Sequence, residues 1–340
     1  MACIVGRSGS LNSLLGKCAD MNMVDSGLAV EIRTRPSSAD NADPELDPRH
    51  EWPAAGLDER CRVLLIYPNY RGMNMLPPAI GLLSAVLLEG GHEVQVFDTT
   101  YYESVDGETE LADSDGKKSE QLMARPYEMP VELTLKTSDV LDDFAQMIDS
   151  FEPDLLALSC TEDMWHLGLR LLRHIRPTRR VLTVAGGVFP TFAAELVLGH
   201  DEIDIVCKGE GEIALRRLAD RVGRDQDYTD IPNLLTMNEN GLIRSNPIEM
   251  VDMNSNPLID LSHFEEARFY RPMGGRVWRM FPVETHRGCP YKCAFCNSPS
   301  QMAMYRAELG ENYLRRKTFA NMFRELKFYK EEMGAEYLYF

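Results

Sequence analysis

The 340-residue sequence lacks any apolar run long enough to span a bilayer, and its N-terminus lacks the long apolar core of a secretory leader. Neither a membrane span nor export is expected. It also lacks a surplus of positive charge: 36 Lys and Arg stand against 53 Asp and Glu, a formal net charge of −17. That balance argues against a nucleic-acid surface as the general character of the protein. The 8 cysteines lack a disulfide pattern, since Cys3, Cys18, Cys61, Cys160 and Cys207 are scattered singly. A reducing compartment, the cytoplasm, is the expectation. What is present is a globular composition, 44% hydrophobic and 26% charged, over a length that suggests about two domains.

The remaining cysteines are clustered. Cys289, Cys293 and Cys296 form a CxxxCxxC pattern within Thr285–Asn297. A structural zinc site or an ordinary ferredoxin cluster needs four protein ligands, and no fourth is evident nearby. Three thiolates so spaced can hold three irons of a four-iron cluster and leave the fourth open to bind a substrate. Just upstream, Arg268, Arg271, Arg276, Arg279 and Arg287 interleave with Phe269, Tyr270 and Trp278. This reads as a solvated linker that packs its aromatics, with contact to an anionic group as the competing reading.

The rest of the chain divides by composition. Residues 1–59 read as a disordered tail, because 34–59 combine Pro, Ser, Asp and Glu with few large apolar groups. Residues 103–118 read as a solvated acidic insertion. Between and after them strands alternate with helices. Strands are predicted at 62–67, 93–97, 154–159, 181–185 and 203–206. Helices are predicted from Pro78 to Gly90-Gly91, at about 138–151, through Leu167, Leu171 and Ile175, before Ile203, and from near Glu210. Buried strands alternating with helices give an α/β fold, a doubly wound flavodoxin-like sheet of order 2-1-3-4-5 over 60–225. Residues 226–279 read as a linker.

From 280 to 340 the pattern differs. Phe281–His286 reads as a short strand, Gly288 and Pro290 turn the chain, Thr318 starts a helix closed by Gly334, and Tyr337–Phe340 begins another strand. With the cysteines, this resembles the radical S-adenosylmethionine (radical SAM) superfamily. The resemblance implies that Cys289, Cys293 and Cys296 hold a [4Fe-4S] cluster and that its open iron chelates S-adenosylmethionine (SAM), which is cleaved reductively to a 5'-deoxyadenosyl radical. It further implies that Phe295 lies against the adenine, and that 280–340 is the start of a (β/α) barrel belonging to a longer protein.

Ligands on doubly wound sheets bind at the carboxyl ends of the strands. The predicted loops there are rich in small residues, whose glycines admit close approach and whose Ser159 and Thr161 can hydrogen-bond a ligand. Glycine-rich turns equally serve geometry alone. Followed by the cysteine loop, these loops resemble the cobalamin-binding domain of class B radical SAM enzymes. The resemblance implies cobalamin contacts from Tyr67, Pro77, Pro78, Ser159, Cys160, Thr161, Gly186, Gly187, Val188, Gly209, Glu210 and Gly211. The DxHxxG motif of another cobalamin family is missing, and His166 reads as a helix-surface or core residue. The implied activity is cobalamin-dependent methyl transfer to an unactivated carbon of a small-molecule substrate, with a flavodoxin or ferredoxin as electron donor. An oxidative cyclase of the anaerobic porphyrin-cyclase type and a non-catalytic cobalamin or Fe-S sensing module stay open as alternatives.

Overall fold

The computed structural model describes residues 2–4, 54–70, 75–105, 127–310 and 313–340. In chain order its first elements are β1 (Ala2–Ile4), β2 (Arg62–Tyr67), α1 (Pro78–Glu89), β3 (Glu93–Asp98) and α2 (Val140–Phe151). Next come β4 (Leu155–Ser159), α3 (Glu162–Ile175), β5 (Leu182–Gly186), α4 (Val188–Phe192), α5 (Ala194–Leu198), β6 (Ile205–Cys207) and α6 (Glu212–Gly223). Local chemistry sets several boundaries. Pro78 fits the first turn of α1, where its missing N–H is not needed, and Gly91 leaves the helix at φ 79°. Asp139 caps α2 by accepting the Leu141 and Asp142 N–H groups at 2.7 and 3.2 Å.

A 7-stranded sheet has the order β3-β2-β4-β5-β6-β7-β8, in which β7 is Leu234–Met237 and β8 is Ile243–Ser245. The strands β3, β2, β4, β5 and β6 pair in parallel, which is the flavodoxin-like order expected from the sequence. Alternate residues along each strand feed opposite cores. Val63, Leu65, Leu155, Ala157 and Val184 pack beneath α1 and α6, whereas Leu64, Ile66, Leu156 and Leu158 pack against α2 and α3. Each fully buried leucine contributes about 2 kcal/mol by removal from water.

The stretch 226–279 is not a simple linker. β7 and β8 extend the sheet antiparallel beyond β6, and Asn246 secures them by donating to Thr229 O and Ile231 O, both at 2.8 Å. Buried backbone carbonyls need such donors, and no apolar periodicity announces them.

The remaining elements are β9 (Tyr270–Met273), β10 (Arg276–Pro282), β11 (His286–Arg287), α7 (Ser298–Leu309), β12 (Arg315–Arg316), α8 (Phe319–Lys327) and β13 (Tyr337–Tyr339). β10 and β13 pair in parallel, with Met280 opposite Tyr337. The chain between them forms the cysteine loop and two helices, which is the crossover expected at the start of a (β/α) barrel. The strand anticipated at 281–286 instead occupies 276–282, and α7 was not anticipated. Thr318 caps α8 as expected, accepting the Asn321 N–H at 3.4 Å.

Of the predicted tail, Ala2–Ile4 pairs antiparallel with β13 and Leu57–Glu59 forms one 3-10 turn; 5–53 lie outside the described residues, as do 106–118 of the acidic insertion. Among the described residues no helix is long and apolar enough to cross a membrane.

Candidate functional site

A cavity of about 600 Å³ opens at the carboxyl ends of β4, β5 and β6 and faces the β10–β13 unit. That volume is in the range of small-molecule sites, about 300–1,000 Å³. It continues as an apolar slot over the sheet, floored by Leu65, Ala157 and Val184 and flanked by Leu82 and Leu83 of α1 and Leu215 and Leu218 of α6.

Of the residues expected at a sheet ligand, the cavity brings together Pro78, Ser159, Gly186, Gly187, Val188, Gly209, Glu210 and Gly211. Tyr67, Pro77, Cys160 and Thr161 are not in its wall. The Tyr67 ring packs 5.9 Å from the Arg268 guanidinium, and Cys160 is buried, its N–H donating to Gly186 O at 3.1 Å. Strand pleat explains Cys160: it follows Ser159, so its side chain turns to the opposite face.

The glycines divide into two kinds. Gly187 and Gly209 sit at φ 100° and 86°, and a Cβ on them would meet Cys160 O at 2.7 Å and the Tyr305 hydroxyl at 2.5 Å. These two serve backbone geometry. Around Gly186 and Gly211 a Cβ would make only ordinary contacts, at 3.6 and 3.7 Å. Thr191 bridges the two turns, donating to Gly187 O at 2.7 Å and accepting the Gly209 N–H at 3.0 Å.

The cysteine loop is tied to this cavity by buried charge. Arg287, in β11, places Nη1 2.6 Å from Glu212 and 3.1 Å from Glu210, and its Nε and Nη2 grip Glu284, each at 3.1 Å. Burial pulls the guanidinium down, but Glu212, Glu284 and Glu210 outweigh it and hold it above its ordinary value. Glu210 also pairs with Arg315 and accepts the Val251 N–H at 2.7 Å. From α7 the fully buried Tyr305 accepts the Glu210 N–H at 3.1 Å and stacks on Tyr313, centroids 4.2 Å apart. Neither Arg287 nor Tyr305 was singled out as a positioning group, because each acts across a long sequence separation.

Cys289, Cys293 and Cys296 are free thiols on the surface side of the loop, half-buried in the first case and exposed in the others. Among the described residues no group of three His, Cys, Asp or Glu side chains converges on one metal-sized point, so the loop does not gather its thiols here. The Ser298 side chain and N–H, each 3.4 Å from Cys296 Sγ, draw that thiol below its ordinary value. By contrast burial pushes Cys61, Cys160 and Cys207 up to about 12. Phe295 is 95% exposed. His166 lies on the exposed face of α3.

The arginines read as a solvated patch separate. Arg268 is fully buried and pairs with Asp98, Arg279 pairs with Glu266 at 2.9 Å, and Arg287 belongs to the network above. Only Arg276, over Trp278, keeps an exposed position.

Residues 123–219 match the model of the B12 binding domain family. An uncharacterized methyltransferase of Pyrococcus horikoshii, PH0819, is 30% identical over 166 residues, covering 47% of this chain and 34% of that protein. The cobalamin-dependent radical SAM methyltransferase TokK of Streptomyces tokunonensis is 27% identical over 223 residues, covering 63% of this chain and 31% of that protein. The chain thus spans about a third of the length of these curated relatives. Among solved structures, apo OxsB, a cobalamin-dependent S-adenosylmethionine radical enzyme, shares the fold with a TM-score of 0.56 at 17% identity, over 82% of this chain and 33% of that one. Residues 123–219 thus carry a B12-binding family match upon the parallel sheet, and over part of its length the chain is similar to cobalamin-dependent radical SAM proteins.

Proposed function

We propose that the protein is a cobalamin-dependent radical SAM methyltransferase acting on an unactivated carbon of a small molecule. The observation that carries this reading is the juxtaposition of the cysteine loop with the ligand-binding end of the sheet through Arg287, Glu210 and Glu212. Such an ion network would hold the two chemistries beside each other.

The residues fit the implied groups. Three free thiols within one short loop suit a cluster with one iron left open, and Cys289, Cys293 and Cys296 would hold it. A cavity lined by glycine turns and continued by an apolar slot suits a broad ligand with a long tail, and Pro78, Ser159, Gly186, Val188 and Gly211 would line it. When bound, the cluster, SAM and cobalamin supply a substrate radical and the methyl group it receives.

The chain's own part is placement and exclusion of water. Leu82, Leu83, Leu215 and Leu218 keep water from the slot, and Arg287 sets the distance between loop and sheet. Phe295 is proposed to cover the SAM adenine, its exposed ring being free to do so. A flavodoxin or ferredoxin supplies electrons, and the oxygen-sensitive centre works in the reducing cytoplasm.

The test is product analysis of reduced, reconstituted protein given methyl-labelled SAM. Methyl transfer predicts 5'-deoxyadenosine together with label in the product. Deoxyadenosine without transferred label would instead indicate a cyclase, and absence of SAM cleavage a sensing module.

A further inference from the structure

The two-stranded ribbon from which the cysteine loop springs has two unlike faces. In β11 and β12 His286 stands opposite Arg316, and Arg287 stands opposite Arg315. Cross-strand partners share a face and successive residues alternate, so the two pairs point opposite ways. Arg287 and Arg315 turn inward onto Glu210 and Glu212. His286 and Arg316 turn outward and are exposed. Lys292, in the loop that leaves β11 and next to Cys293, is exposed as well.

This outward face reverses the charge of the molecule. Residues 286–316 hold 5 Lys and Arg against 2 Asp and Glu, whereas the whole chain holds 36 against 53. One of the two acids, Glu308, is taken up by Lys208 at 2.7 Å. Among the described residues Lys292 and Arg316 form no ion pair, so their charges act outward. An acidic protein is repelled by a chain of net charge −17 except where such an island attracts it. Tyr291, beside Lys292, is 71% exposed and sets an aromatic ring within the charged rim, the composition of a small transient interface.

We propose that the outer face of β11 and β12, with Lys292 and Arg316, is the docking surface of an acidic one-electron carrier protein of the flavodoxin kind. The inference rests on the radical SAM reading above, in which a cluster held by Cys289, Cys293 and Cys296 is reduced before SAM is cleaved. One electron leaves the carrier's flavin, which is oxidised, and enters the cluster, which is reduced. Cys293 and Cys296 are exposed in the same loop, so a carrier seated here meets the cluster across that loop alone. Charge complementarity of this kind speeds encounter and fixes orientation, and salt screens it.

The experiment titrates an acidic flavodoxin, followed by its flavin fluorescence, into the full apo chain at ionic strengths of about 0.01 and 0.15 M. Wild type is expected to bind it about tenfold more tightly at the lower salt. Arg316→Glu and Lys292→Glu should each lose about tenfold in affinity there. Arg180→Glu, at an exposed position in the turn before β5 and so at the amino ends of the strands, should lose about threefold at most. Far-ultraviolet circular dichroism checks each fold, and Lys292→Glu carries the test should Arg316→Glu fold poorly. In reconstituted protein the flavodoxin hydroquinone should reduce the cluster about tenfold more slowly in either variant. Reduced methyl viologen, a small cation that needs no docking surface, should not be slowed. Equal flavodoxin affinity in wild type and both variants, or no binding by wild type at low salt, overturns the inference and leaves the radical SAM reading standing. Equal slowing of methyl viologen places the effect in the cluster and overturns the inference too. A wild-type chain that assembles no cluster overturns that reading, and the inference with it.

Discussion

Arg287 Nη1 lies 2.6 Å from Glu212 Oε1, joining the strand that leads into Cys289 to the first residue of α6. The pair is largely out of solvent, with 14% and 8% side-chain exposure, so breaking it from one side strands a carboxylate. Arg287→Gln is expected to destabilise the chain by about 3 kcal/mol in urea unfolding. Arg287→Lys should recover only part, because an ammonium cannot grip Glu284 with two parallel bonds. A loss below about 1 kcal/mol for Arg287→Gln, the range of surface pairs, would show that the network does not join the two units.

Gly209 is expected to tolerate no side chain while Tyr305 keeps its hydroxyl. Its φ of 86° is strained for other residues, and the added Cβ would sit 2.5 Å from that hydroxyl. Gly209→Ala should cost about 2 kcal/mol, and adding Tyr305→Phe should restore part of it. The coupling is read from a double-mutant cycle by thermal or urea unfolding, and strictly additive effects would contradict the contact.

Much of the sheet was legible because its signals are local. Arg62–Tyr67 is a continuous apolar run, Pro78 and Gly90-Gly91 bracket one helix, and Thr318 caps another. The order 2-1-3-4-5 follows from buried strands joined by helices. What escaped is held by distant partners. β7 and β8 depend on Asn233 and Asn246 bonding to backbone carbonyls, including Asn233 Nδ2 to Lys208 O at 3.1 Å. The isolated arginines looked alike in sequence, yet only the folded chain distinguishes Arg268 against Asp98 from Arg276 over Trp278. Cys160 was grouped with Ser159 and Thr161 by adjacency, and the pleat sends it the other way.

Thiol reactivity should divide the cysteines into two groups. With their ionisation pushed up to about 12 by burial, Cys61, Cys160 and Cys207 have almost no thiolate near pH 8. Iodoacetamide on the folded apo chain should therefore label Cys293 and Cys296 first, with the buried three labelled only after unfolding. Because these thiols bind protons more tightly folded than unfolded, they also cost stability as pH rises above the ordinary thiol value. An alkaline decline in the urea midpoint, reduced by Cys160→Ala, is the expected sign. Labelling of Cys160 at the rate of Cys296 would contradict its burial.

Removing Thr191's hydroxyl should loosen both glycine turns at once, since it donates to Gly187 O and accepts from Gly209 N–H. Thr191→Val is expected to cost about 1–2 kcal/mol and to weaken hydroxocobalamin binding severalfold. Unchanged binding would mean that the two turns are set independently of Thr191.

The most direct measurement of the central claim is anaerobic reconstitution of the full chain with iron, sulfide and hydroxocobalamin, beside a Cys289, Cys293, Cys296 triple alanine variant. Wild type is expected to show both cluster and cobalamin absorption, while the variant loses the cluster and retains cobalamin. Cluster absorption surviving in the variant, or cobalamin binding absent from both proteins, would contradict it.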